Sequence, residues 1–232
     1  MLFGWFYFDW TVLIVLPALI ISVWAQIKVK STFDKYSKIP TKRGITGADA
    51  ARRVLNENGL YDVKIEHVRG KLTDHYDPRA NVIRLSDDVY SSTSAAAVGV
   101  ACHEAGHAVQ HAKHYFPIKV RMTIIPLTRF GSMLAMPLFF IGLLLATDIL
   151  LVAGILLYST VTLFQLVTLP VEFNASARAL QAIKSSGMLD PKEYDSSKKV
   201  LTAAAMTYVA ALATSLLTLL RLLVLASGRR RD

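Results

Sequence analysis

Residues 101–115 read Ala-Cys-His-Glu-Ala-Gly-His-Ala-Val-Gln-His-Ala-Lys-His-Tyr, and the spacing of His103, Glu104 and His107 decides how the rest of the chain is organised. On a helix, positions i and i+4 lie on one face a turn apart. Both imidazoles can therefore reach one zinc ion at about 2.1 Å, while the intervening carboxylate can hydrogen-bond a metal-bound water. Ser94 is placed to cap such a helix, running from about Ala95 to His114. HExxH fixes only three letters, so its context carries the reading against the plainer one of two histidines on a polar helix face. Gly106 costs helix stability and is expected where a strand packs closely.

Upstream, Val63 to Val68 alternates as a strand should. Leu72 to Tyr76, the turn residues Asp77-Pro78-Arg79-Ala80-Asn81 and Val82 to Leu85 read as a β-hairpin. A hairpin ahead of an HExxH helix is the usual arrangement in zinc peptidases, where an edge strand holds the substrate. Thr46-Gly47-Ala48-Asp49, followed by Ala50, Ala51, Val54 and Leu55 and ending at Asn58-Gly59, reads as a capped amphipathic helix. Residues 28–130 thus form a small α+β domain of zincin-like type.

Outside that domain the chain is apolar. Of 232 residues 53% are hydrophobic and 19% charged, and the apolar residues are bunched. Four blocks approach the roughly 20 residues that span a bilayer: Trp10 to Ala25, about Gly131 to Ala146, about Ile149 to Leu169, and about Leu201 to Ala226, the last interrupted by Arg221. The expected division is 1–27 an uncleaved N-terminal membrane anchor, 28–130 the zincin-like domain, 131–169 a transmembrane hairpin, 170–200 a third-ligand helix and loop, and 201–232 an apolar helix with a basic tail. The fold class is α+β, a small zincin-like domain fused to a helical transmembrane bundle. Residues 28–121 hold 16 Lys and Arg, Arg129 adds one and 170–200 hold five, so 22 of the 26 fall where one side of a membrane would collect them. Basic residues accumulate in cytoplasmic loops, which predicts a multi-pass protein of the cell membrane with its active site in the cytoplasm. Arg229, Arg230 and Arg231 are the misfit. The net charge of +9 is then an orientation signal and a surface attracted to anionic lipid, and nucleic acid is not an expected partner. One cysteine excludes a disulfide scaffold and a Cys-cluster metal site; Cys102 reads as a buried small residue.

A catalytic zinc site needs a third protein ligand. His111, His114, Asp148, Glu172, Asp190, Glu193 and Asp195 lie downstream. His111 is one turn too far along the same helix, and Glu193 sits in what reads as a polar loop. Glu172 opens a helical sequence just past an apolar block, where a carboxylate is costly unless it is paired or binds metal. It is the preferred ligand, against a surface pair with Arg178.

The strings "GLYDVKIEHVRGKLTDHYDPRANVIRLSDDVY", "ACHEAGHAVQHAKHY" and "LPVEFNASARAL", with the N-terminal anchor, resemble the neutral zinc metallopeptidases of bacterial membranes of the YugP type over nearly the whole chain. More distantly the arrangement is similar to the HtpX-type gluzincins, which the resemblance implies are membrane-bound with a cytosolic active site. The family pattern implies Asp where this chain has Asn174, whose amide can still hydrogen-bond a ligand. The expected activity is endopeptidase hydrolysis with one zinc ion, metal ligands His103, His107 and Glu172, and Glu104 as general base. The expected substrate is a polypeptide, membrane proteins included, met at the lipid bilayer. His75, Tyr76, Asn174 and Arg178 are candidates for supporting or substrate-binding roles. Asp74 and Asp77 read as a solvated turn. Two alternatives stand beside this: a membrane scaffold or chaperone-like protein that holds zinc without turnover, and a site-2 protease arrangement using Asp190.

Overall fold

The computed structural model describes residues 9–229. Residues 1–8 of the expected anchor, and Arg230 and Arg231 of the basic tail, lie outside the described residues. The elements follow in the order α1 (Val12–Tyr36), α2 (Gly47–Glu57), β1 (Lys64–His67), β2 (His75–Asp77), β3 (Val82–Leu85), α3 (Ala95–Ala112), α4 (Phe116–Leu144), α5 (Asp148–Ser185) and α6 (Pro191–Arg229). The protein is mostly helical with one three-stranded sheet. Its described residues divide into two compact units, the first built from residues 9–24, 121–167 and 209–229 and the second from 25–120 and 168–208.

The second unit carries the mixed structure. Thr46 starts α2 with a capping box in which its side chain accepts from the Asp49 N–H and Asp49 reaches back to the Thr46 N–H. The apolar face of α2 buries Val54 and Leu55 against α3, with Ile83 and Leu85 of β3 in the same core. β2 and β3 form the expected antiparallel hairpin, Tyr76 opposite Ile83. β1 joins β3 in parallel, giving the order β1-β3-β2 and leaving β2 at an edge. Alternation along β1 is the same for either pairing direction, so the parallel partner had no sequence signal. Ser94 accepts from the Ala97 N–H and caps α3 as its position predicts.

All four long helices outrun the apolar blocks they contain. α4 begins at Phe116, and α5 continues past Leu169 with Pro170 inside it, so Glu172 lies in the body of a 38-residue helix instead of opening a separate one. The segment around Glu193 is the first turn of α6 and not a polar loop. Pro191 fits the first turn, where its missing N–H is not needed, and the Glu193 carboxylate accepts from the Asp190 and Lys42 N–H groups.

The helices α1, α4, α5 and α6, parts of which build the first unit, are each long and apolar enough to cross a membrane by length and composition, and only 17% of each apolar window is buried. Leu13, Ile20, Leu144, Leu156 and Leu223 are exposed, as lipid-facing side chains are. Small residues let helices approach: a Cβ on Gly154 would lie 2.8 Å from the Ala135 carbonyl oxygen. Phe139, Leu151 and Leu222 form the unit's own core. Arg221, the charge that interrupted the last apolar block, donates to Asp9 and, at 3.0 Å, to Thr11.

Candidate metal centre

Glycine at position 106 lets two helices of the second unit meet. A Cβ there would sit 2.8 Å from the Ala175 carbonyl oxygen of α5. The close neighbour is thus a helix and not the strand expected from the sequence. That contact sets Glu172 and Ser176, one turn apart on α5, against His103 and His107, one turn apart on α3. His103 Nε2 lies 3.3 Å and His107 Nε2 3.4 Å from Glu172 Oε2, and one donor atom from each of the three falls within 4.8 Å of the others. Glu172 is 3% exposed and His107 9%.

The other ring nitrogens are held from outside. His103 Nδ1 is 3.1 Å from Ser176 Oγ, and His107 Nδ1 is 3.0 Å from Gln110 Oε1. Around His107 the donors and acceptors leave one arrangement. Arg178 can only donate, and its Nε–H reaches Asn174 Oδ1 at 2.8 Å. Gln110 Nε2 donates to the same Oδ1 at 3.0 Å and to the Val171 carbonyl at 2.8 Å. Its amide oxygen must then face His107, which donates from Nδ1, so a neutral His107 ring carries its lone pair on Nε2, the nitrogen turned to Glu172. This is the tautomer a metal-binding imidazole needs.

Does this set fit zinc? Tetrahedral coordination with bonds of about 2.0–2.1 Å puts neighbouring ligand atoms about 3.3 Å apart. The two measured edges from Glu172 are 3.3 and 3.4 Å. Two imidazoles presenting Nε2 and one carboxylate oxygen are also a donor set typical of zinc with a fourth position open. The residues fit the metal.

Glu104 is buried and shares a cavity with His103, Glu172 and Ser176. Asp74 lines the same cavity, with its carboxylate accepting from the Ser86 N–H at 2.8 Å and from the Ser86 hydroxyl. Burial raises the pKa of Asp74, opposed by those two hydrogen bonds. It was expected in a solvated turn.

Of the four supporting candidates, Asn174 and Arg178 belong to the chain of hydrogen bonds behind His107. His75 and Tyr76 do not reach the cavity. Asp74, just ahead of β2, lines the cavity, whereas the exposed His75 ring is bonded to the Thr73 carbonyl. Tyr76 donates to Asn81 Oδ1 and packs edge-on against His111. Asp190 pairs with Lys42, which leaves the site-2 arrangement without its ligand. Cys102 is fully buried, and burial pushes its thiol up, so it stays protonated and inert. Gln110 and Ser176 escaped the sequence reading. Each lies one turn from a donor on the same helix face, Gln110 after His107 and Ser176 after Glu172.

Residues 11–227 match the family described as "Putative neutral zinc metallopeptidase". The chain is also 51% identical over 219 residues to the "Putative membrane protease YugP" of Bacillus subtilis (strain 168), covering 94% of this chain and 97% of that protein. No solved structure matches. With the family match extending over nearly all its length, this chain belongs to that neutral zinc metallopeptidase family.

Proposed function

We propose that the protein is a membrane-embedded, zinc-dependent endopeptidase of gluzincin-like design, with His103, His107 and Glu172 holding one zinc ion and Glu104 as general base. The observation that carries this reading is the pair of 3.3 and 3.4 Å edges from Glu172 to the two imidazoles, with Glu104 lining the same cavity. A zinc ion there supplies Lewis acidity, lowering the pKa of a water toward about 7 and polarising the scissile carbonyl. Glu104 accepts the proton of the attacking water and delivers it to the leaving amine, work that contributes about 10²- to 10⁴-fold to such reactions. The Gln110–Asn174–Arg178 chain keeps His107 in the tautomer that presents Nε2, and Ser176 Oγ holds the far nitrogen of His103. The low exposure of Glu104 and Glu172 limits bulk water around the reacting atoms.

The family and the named relative support proteolysis at a membrane. Substrates are polypeptides, membrane proteins among them, and the chain crosses the bilayer several times with the metal centre on the cytoplasmic side. The distribution of basic residues supports that orientation. Cysteine placed at Lys64 or Lys192 in a Cys102-free background should resist an impermeant thiol reagent in intact cells and react after lysis. Labelling of both in intact cells would overturn the topology.

Metal content and peptide hydrolysis measured together on wild type and Glu104→Gln test the enzyme against a zinc-holding scaffold. A peptidase keeps its zinc and loses hydrolysis in the variant. Equal hydrolysis by both would take the activity away from this site and favour the scaffold.

A further inference from the structure

The cavity that contains Glu104 has two ends of different chemistry. One end carries His103, Glu104, Glu172 and Asp74. Most of the remaining lining is apolar, with Val29 and Phe33 of α1, Val100 of α3, and Leu201, Ala204 and Tyr208 of α6, broken by Ser176 and Thr207. Helical spacing explains why these side chains converge. Val29 and Phe33 are one turn apart, and Leu201, Ala204 and Tyr208 stand at i, i+3 and i+7, so each helix shows the cavity a single face. Nothing in the proposed chemistry needs those walls, because attack and proton transfer happen at the polar end.

From this arrangement we infer that the cavity is a specificity pocket for a large apolar side chain, Leu- or Phe-like, next to the scissile bond. The inference rests on the peptidase reading and adds its substrate class. Volume supports the size: the cavity is about 230 Å³, whereas a dry cavity of roughly 150 Å³ already holds benzene. Charge supports the exclusion. Asp74 and Glu104 face the same space, so an acidic side chain entering it would meet carboxylates in a setting with little water to screen them. Ala204 is the smallest of the three α6 side chains named in the wall. Its single methyl leaves the space that a bulkier residue on the same α6 face would fill.

The test uses full-length protein in detergent, zinc-loaded, with internally quenched peptides that differ in a single residue flanking the cleaved bond: Gly, Ala, Leu, Phe or Glu. Burial of a Leu or Phe side chain predicts kcat/KM about 10- to 100-fold higher for these than for Gly, with Glu lowest. Ala204→Phe should collapse the Phe-to-Ala ratio while zinc content stays at one per chain. Affinities of the same peptides for Glu104→Gln, read by fluorescence anisotropy, should follow the same order without any turnover. Hydrolysis with no preference, or a ratio unchanged by Ala204→Phe, overturns the pocket and leaves the peptidase standing. Ordered binding with no hydrolysis by wild type keeps the pocket and sinks the peptidase. A co-purifying acyl chain that Ala204→Phe expels while the peptide order is unchanged would assign the cavity to lipid and overturn the inference.

Discussion

Glu172 and Asp9 are both carboxylates beside apolar helix, and the two units of the molecule compensate them differently. Asp9 accepts from Arg221, a permanent cation, and from the Thr11 N–H at 3.0 Å. The pair is electrically complete. Glu172 is more deeply buried, yet its neighbours are two imidazoles, neither of which carries a fixed charge. Each imidazole is also tied at its far nitrogen, to Ser176 or Gln110, and turns its inner nitrogen to Glu172. On the proposed reading, the difference separates a carboxylate that closes a helix bundle from one that meets a metal.

The variants that break this comparison hardest are those on the Glu172 side. Glu104→Gln should lower hydrolysis by about 10²- to 10⁴-fold with zinc retained. Glu172→Gln keeps the volume but removes the anionic donor. Zinc affinity, measured by competition with a chromophoric chelator, should fall by more than the roughly 10- to 100-fold that supporting residues give. Unchanged affinity would make Glu172 a structural carboxylate like Asp9. Gln110→Leu tests one step further out. With its acceptor gone, His107 can place its proton on either nitrogen, and zinc affinity should drop by about 10- to 100-fold. If Gln110→Glu, which restores an acceptor, does not recover part of that loss, Gln110 is a packing residue and the tautomer argument fails.

Which of these residues the sequence announces depends on how local their signals are. His103 and His107 are visible because helical spacing alone puts them on one face. Glu172 is visible because a carboxylate just past an apolar block needs a reason. The Thr46 cap and the turn at residues 77–81 are likewise contained within a few residues. Gln110 and Ser176 are neutral and polar on helices, and a solvated surface position is the default reading for such residues. Asp74 was hidden just ahead of a short strand: the residue that lines the cavity is the neighbour of the more eye-catching His75. Arg221 is separated from Asp9 by 212 positions, and neither residue names the other. The parallel partner of β1 and the unbroken run of α5 through Pro170 are also settled by distant packing, which outweighs local preference.

On the Asp9 side the expected effects are on folding alone. Asp9→Ala leaves Arg221 without its counter-charge, and Arg221→Leu removes a donor but leaves an apolar replacement. Because both side chains are partly exposed, at 38% and 21%, each loss should be near 1 kcal/mol, or a fall of about 2–4 °C in Tm. Zinc affinity and hydrolysis per folded molecule should stay at wild-type values. A large loss of zinc in either variant would erase the distinction between the two carboxylates.

Asp74 sharpens the comparison with the smallest effect, because its carboxylate is held chiefly by the N–H and hydroxyl of Ser86 and not by an ion pair of the Asp9 kind or a pair of imidazoles. Burial raises its pKa in spite of those two bonds. A carboxyl whose folded pKa lies above its unfolded value holds its proton more tightly when folded, so its contribution to stability falls as pH rises through the carboxylate range. Asp74→Asn keeps an oxygen for Ser86 and removes the charge. In metal-free protein the variant should therefore melt slightly above wild type at pH 7, with the difference vanishing near pH 3, where both side chains are neutral. A melting temperature below wild type at pH 7 would mean that the ionised Asp74 is compensated within the chain, as Asp9 is, and would move it from the cavity's chemistry to the fold's.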